Sequence, residues 1–165
     1  MSTLSSRIVK LGVVAVTVAA VTTPITASAH EDARHDDNLI KAQFDSSMPT
    51  DAPIFGVNAG GLPWVLRHGE VTIREDGRTD VRLRGLQIPQ ADGSQANPLS
   101  SITASLYCGG TLAARSSAQA MSVPGGDARF RVWLAVPKMC AMATVLINPA
   151  VDSAVYIASA TSTQD

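Results

Sequence analysis

The chain has 165 residues, with 13 Lys and Arg against 14 Asp and Glu and a formal net charge of −1. Such a balance argues against a nucleic-acid binder, which needs a broadly basic surface to displace counterions. The length suits one domain around a single core.

The first ten residues, MSTLSSRIVK, carry Arg7 and Lys10, and a small and apolar run from Leu11 to Val21 follows, relieved only by Thr17. TTPITASA comes next and ends in Ala27-Ser28-Ala29. Basic, apolar and small segments in that order predict a secretory signal peptide over 1–29, cleaved after Ala29. A spanning helix needs about 20 apolar residues, and Pro24 and the hydroxyl side chains cut this run short. Cleavage leaves eleven cations against fourteen carboxylates, a formal net charge of −3. The expected mature protein is secreted and extracellular, with no membrane span once the signal is removed.

Residues 30–53, HEDARHDDNLIKAQFDSSMPTDAP, are acidic and hold only Leu39, Ile40 and Phe44 as large apolar side chains. So little apolar surface does not offset the entropy of ordering, so a flexible acidic leader is expected. From Ile54 the chain changes to short apolar runs separated by Gly, Pro, Asn and Asp. That spacing predicts, over 54–160, an all-β domain: a two-sheet antiparallel β-sandwich, immunoglobulin-like or related, with about 7–8 strands. Residues 161–165 form a tail.

Gly56-Val57-Asn58-Ala59-Gly60-Gly61 has the glycines of a phosphate loop but neither the following helix nor a Lys that such a loop requires. It reads as a turn entering a strand. Next, Val71 and Ile73 alternate with Glu70, Thr72 and Arg74, and Val81 and Leu83 alternate with Asp80, Arg82 and Arg84. A two-residue Asp76-Gly77 turn would set apolar side chains opposite charged ones. An odd-length loop centred on Gly77 instead pairs Val71 with Leu83, Ile73 with Val81, Glu70 with Arg84 and Arg74 with Asp80. The phase breaks at Gly85-Leu86, which predicts a β-bulge.

Further inward rows are Ile102, Ala104, Leu106 and Cys108; Ala128, Phe130, Val132, Leu134 and Val136; Ala143, Val145 and Ile147; and Val155, Ile157 and Ser159. Turns are expected at Asp92-Gly93, Asn97-Pro98, 124–127 and Asn148-Pro149, and GTLAARSSAQA, 110–120, is the one place for a short helix. Cys108 and Cys140 are the only cysteines, and in an oxidising compartment they are expected to form a disulfide. Closing that loop stabilises by about 3–4 kcal/mol in the chain-entropy account.

Chemistry has few carriers here. Tyr107-Cys108-Gly109-Gly110-Thr111 is similar to the cysteine-glycine-glycine motif of trypsin-like serine proteases, yet no His follows His68 and no GDSGG-type segment exists. Glu70, Glu75, Asp76, Asp80, Asp92, Asp127 and Asp152 are available carboxylates, but most sit in turn-like contexts and form no nameable acid/base pair. No catalytic residue is assigned and an enzyme is not expected. Cleavage after Ala29 would make His30 residue one, whose α-amine and imidazole suit Cu(II), with His35 or His68 as a further ligand. A secreted copper-binding protein is therefore the alternative reading; the leading one has no cofactor. By alternation Trp133 shares the outer face of its strand with Arg129 and Arg131, a candidate face for a sugar or an anionic or aromatic partner.

The pieces GVNAGGLPW, VRLRGL with IP, ASLYCGGT, GDAR, INPA and YIA, spread over roughly 54–160, resemble a group of small secreted actinobacterial proteins of uncharacterised role. The resemblance implies a secreted domain with one disulfide and carries no binding residues to transfer. The expected function is that of a secreted, non-enzymatic β-sandwich, acting by binding or at the cell envelope, with the cell wall or a glycan as its contact.

Overall fold

The computed structural model of the chain describes residues 37–162. The segment expected to be a signal peptide, its expected cleavage site, His30 and His35 lie outside the described residues. Within them the domain is all-β. Its strands are β1 (Asn38–Gln43), β2 (Asp45–Ser46), β3 (Asn58–Ala59), β4 (Val65–Arg74), β5 (Arg78–Pro89), β6 (Gln95–Ala96) and β7 (Ser101–Cys108). There follow β8 (Thr111–Arg115), β9 (Gln119–Ala120), β10 (Ala128–Trp133), β11 (Thr144–Pro149), β12 (Val155–Tyr156) and β13 (Ala158–Thr161). Eight of these are four residues or longer and the other five span two residues each.

One sheet runs β1-β4-β5-β10, with β6 on the end of β5; the other runs β2-β13-β11-β7-β8, with β9 on β7. Every pairing in both is antiparallel. Val71, Ile73, Val81, Leu83 and Leu86 of the first sheet share one core with Ile102, Leu106, Val145 and Ile147 of the second. The architecture is the expected β-sandwich, and the Cys108–Cys140 disulfide is formed across a sequence separation of 32.

Alternation orients the β4-β5 hairpin as expected, but its register is corrected. The observed pairs are Glu70 with Arg82, Val71 with Val81, Thr72 with Asp80 and Ile73 with Thr79. The loop is Glu75-Asp76-Gly77, two residues tighter than a loop centred on Gly77. Gly77, at φ 89°, donates its N–H to Arg74 O at 2.9 Å, and the Arg78 N–H reaches Asp76 Oδ1 at 3.0 Å. This is the three-residue loop with glycine in the left-handed position. A two-residue shift keeps every side chain on its face, so parity cannot detect it. Thr79 thereby takes the last inward place, and its buried hydroxyl donates to Gly77 O at 3.1 Å.

The phase break at Gly85 is present, but the expected β-bulge is not: β4 and β5 keep one register across it, with Leu66 opposite Leu86 and His68 opposite Arg84. Gly85 has φ 63°, and the inward row passes from Val81 and Leu83 to Leu86 and Ile88. The Gly85 N–H is taken by Asp127 Oδ1 at 2.8 Å and that of Leu86 by Gly126 O at 3.0 Å.

The flexible leader is corrected over its second half. Asn38–Gln43 is an edge strand on β4, with Ile40 opposite Ile73 and Ala42 opposite Val71. Ile40 and Phe44 are buried in the main core. Phe44 also donates its N–H to Gly69 O at 3.0 Å, and a Cβ on Gly69 would come within 3.0 Å of Phe44 Cβ. Composition understated this segment because its few apolar residues are supplemented by an existing strand edge that satisfies their backbone groups.

Three further expectations give way. Residues 110–120 hold β8 and β9 rather than a helix, and Arg115 Nε donates to Ser105 Oγ at 2.9 Å. Asn148-Pro149 is no turn but the buried end of β11, where Asn148 accepts from Ser105 Oγ at 2.7 Å and donates to Val155 O at 2.7 Å. The last inward row is not Val155, Ile157 and Ser159 but Ile157, Ala158 and Ala160. The chain switches phase there because β12 leaves the sheet to pair in parallel with β3.

That parallel ribbon gives the GVNAGG segment its role. Val57 and Tyr156 join Tyr107 and Leu146 in a second, smaller core on the outside of the second sheet. Gly60 donates its N–H to Tyr156 O at 2.8 Å, and a Cβ there would sit 2.9 Å from Trp64 Nε1. β7 and β11 are consequently buried on both faces. The outer face of the first sheet is left to solvent.

Candidate functional site

Strand alternation sends the polar residues of β4, β5 and β10 outward, and antiparallel pairing arranges them in cross-strand rows. Trp133 lies beside Arg78; Arg131 beside Asp80 and Thr72; Arg129 beside Arg82 and Glu70; and Arg84 beside His68. On the far edge, Lys41 and Gln43 of β1 extend the middle two rows. Two rows each contain an ion pair: Arg131 Nε meets Asp80 Oδ1 at 2.6 Å, and an Arg82 amino group meets Glu70 Oε1 at 2.7 Å. Each such exposed pair is worth at most about 1 kcal/mol, so they organise the face more than they stabilise it.

Lys41, Arg67, Arg74, Arg78, Arg82, Arg84, Arg129 and Arg131 all belong to this face or its margin. Among the described residues only Arg115 and Lys138 are cations placed elsewhere.

At one end stands Trp133, 64% exposed, with the Arg78 guanidinium 5.6 Å from its ring centroid. The hairpin loop holds the ring: Leu134 donates its N–H to Gly77 O at 2.9 Å, and a Cβ on Gly77 would lie 2.9 Å from Trp133 Nε1. Trp64 is buried in the core, so Trp133 is the one tryptophan open to a ligand. The outward placement expected for Trp133, Arg129 and Arg131 is therefore found, with Arg131 already engaged by Asp80.

At the other end Arg67, Arg82, Arg84, Asp127 and Arg129 line an open cleft of ≈ 510 Å³. The Arg67 side chain lies over Gly85, whose missing side chain leaves the space that Arg67 occupies; a Cβ there would be 3.4 Å from its Nε. Asp127 is turned toward the Gly85 amide. Among the described residues, Arg67, Arg84 and Arg129 have no carboxylate within ion-pair distance. Arg82 and Arg84 were visible in sequence as an outward pair. Their union with Arg67 and Arg129 was not, because it depends on which strands pair.

The remaining expected chemistry stays dispersed. His68 Nε2 is 3.8 Å from Glu70 Oε2, and no group of three or more His, Cys, Asp or Glu able to hold a metal occurs among the described residues. The other proposed copper ligands, His30 and His35, lie outside them. Asp76, Asp92 and Asp152 each accept a backbone N–H two residues on, from Arg78, Ser94 and Ala154. The Ser94 hydroxyl and amide hold the Asp92 carboxyl below the usual carboxylate range. A second cleft, ≈ 470 Å³, runs beside the disulfide past Thr111, Val136, Pro137 and Met139. Phe55, at φ 52°, stacks on Tyr107 with centroids 5.3 Å apart.

No family model, curated protein or solved structure matches the chain.

Proposed function

We propose that this is an exported, non-enzymatic binding module, acting outside the cell or at its envelope, whose working surface is the outer face of the β1-β4-β5-β10 sheet. The observation that carries the reading is Trp133: a large aromatic ring left 64% exposed and braced by Arg78 and the hairpin loop. An aromatic ring held rigid and open offers stacking area at little entropic cost to a sugar ring. The β3-β12 ribbon covers the outer side of β7 and β11 in the other sheet, which leaves this face, among the described residues, as a broad and polar strand surface.

Fluorescence of Trp133 tests the reading directly, since buried Trp64 supplies a constant background. Titration of the secreted protein with soluble glycans and wall fragments should give a saturable change that disappears in Trp133→Ala and persists in Arg115→Gln. A flat response to every glycan, or a response that survives Trp133→Ala, refutes it. Mass spectrometry of the mature N terminus tests export: the chain should begin at His30, and retention of residues 1–29 would defeat that part of the proposal.

A further inference from the structure

We propose that Arg67, Arg84 and Arg129, gathered around Gly85, bind the oxyanion groups of a phosphate- or sulfate-bearing polysaccharide. The inference deepens the reading above, because it places the anionic part of a glycan at the opposite end of the same face from Trp133. Guanidinium groups present planar forks of N–H donors that match phosphate and sulfate oxygens in pairs. Three of them converge on one cleft of ≈ 510 Å³ without a carboxylate partner among the described residues. The carboxylate at Gly85, Asp127, accepts the Gly85 N–H at 2.8 Å, and Glu70 is paired with Arg82 at 2.7 Å. Asp127 keeps its charge, but Arg67, Arg84 and Arg129 outnumber it, so the cleft retains a net positive charge.

The spacing of charge along the sheet selects the ligand. From Arg84 to Arg78, the row beside Trp133, is six residues along β5, roughly 20 Å at about 3.3 Å per residue. Between these ends stand the two ion pairs Arg82–Glu70 and Arg131–Asp80, which place a carboxylate in each of the middle rows. A nucleic-acid strand, with a charge about every 3.4 Å per strand, would bring phosphates against Glu70 and Asp80. A polysaccharide with sparse anionic substituents can set an anion in the arginine cleft and a neutral sugar on Trp133. Because the guanidinium groups are exposed, a single inorganic anion gains little, and attachment of sugar and anion on one chain supplies the affinity.

Calorimetric titration of the full mature protein with dextran sulfate, phosphorylated dextran, neutral dextran and single-stranded DNA of matched charge decides the matter. At least one charged dextran should bind about tenfold or more tightly than neutral dextran, weakening with salt. Whichever of the two binds more tightly names the anion. The Arg67→Gln/Arg84→Gln double variant should lose about tenfold, whereas Arg74→Gln on the same face should change affinity less than about twofold. A melting temperature close to that of the parent confirms that the variants fold. Equal binding of neutral dextran, an unaffected double variant, or DNA binding as tight as the charged dextran each overturns the proposal. Failure of the two readings is distinguishable. Charged-dextran binding that depends on the arginines with no Trp133 response sinks the stacking face alone. A Trp133 response to neutral glycans with indifferent arginines sinks the cleft alone.

Discussion

Replacing Ile40 by Ala is the sharpest test of where the folded domain begins. Ile40 is 1% exposed, sits in the main core and pairs with Ile73 across the β1-β4 ladder. The change removes three carbon groups, which at about 0.8 kcal/mol each is a transfer loss of about 2.4 kcal/mol. A residual cavity adds about 24 cal/mol per Å³, but β1 is an edge strand and can settle inward, so the total should be about 3 kcal/mol. In urea, with a slope of about 2 kcal/mol per M, the midpoint should fall by about 1.5 M. Lys41→Ala, on the exposed side of the same strand, is the control and should stay within about 0.5 kcal/mol. Were residues 30–53 a flexible leader throughout, both substitutions would behave alike. An Ile40→Ala midpoint indistinguishable from that of Lys41→Ala would refute the placement of β1 in the core.

Other consequences are as direct. Reduction of Cys108–Cys140, which closes a loop with a sequence separation of 32, should cost about 3–4 kcal/mol in denaturant titration; equal stability of the oxidised and reduced forms would contradict it. Asn97 is buried and its amide donates to Leu99 O at 2.6 Å and Ser122 O at 2.8 Å while its carbonyl accepts from Leu99 N at 2.9 Å. Asn97→Ala should therefore destabilise by about 3 kcal/mol, as Asp92→Ala in an exposed turn does not; comparable melting curves for the two would be decisive against it. Burial, then the nearby Asp51 charge, push the Tyr156 phenol up, and its hydroxyl donates to Ala52 O at 3.2 Å. The fold thus favours the protonated phenol, a contribution present in full below about pH 10 and lost as pH rises through the higher folded value. Phenolate absorbance in a Tyr107→Phe background should show ionisation above about pH 10, and ionisation at or below that pH would falsify the account.

How much of this was legible depends on the range over which each determinant acts. The inward residues of β4, β5 and β10 follow from local alternation, and so does the outward Trp133. The register of the hairpin escaped by two residues, since Val71 finds an apolar neighbour whether it faces Leu83 or Val81, and only the left-handed Gly77 with its bond to Arg74 decides. β1 escaped because Leu39, Ile40 and Phe44 are too few to signal a strand until an edge of β4 is present to receive them. The arginine cleft escaped because it joins Arg67 and Arg84 to Arg129 through the Gly85–Asp127 contact, 42 residues apart in sequence.

The sequence by itself determined an all-β chain, the faces that β4, β5, β7 and β10 present, the phase break at Gly85 and the cysteine pair, because each follows from side-chain parity, a glycine conformation or the presence of a single possible partner. Only the tertiary structure decided which strands became neighbours. That choice covered one sheet with the GVNAGG ribbon, drew residues 38–46 into the sandwich and collected eight cations on the remaining open face. The physical reason is that pairing between distant strands is settled by the burial and backbone hydrogen bonds of the whole sandwich, which no local pattern contains.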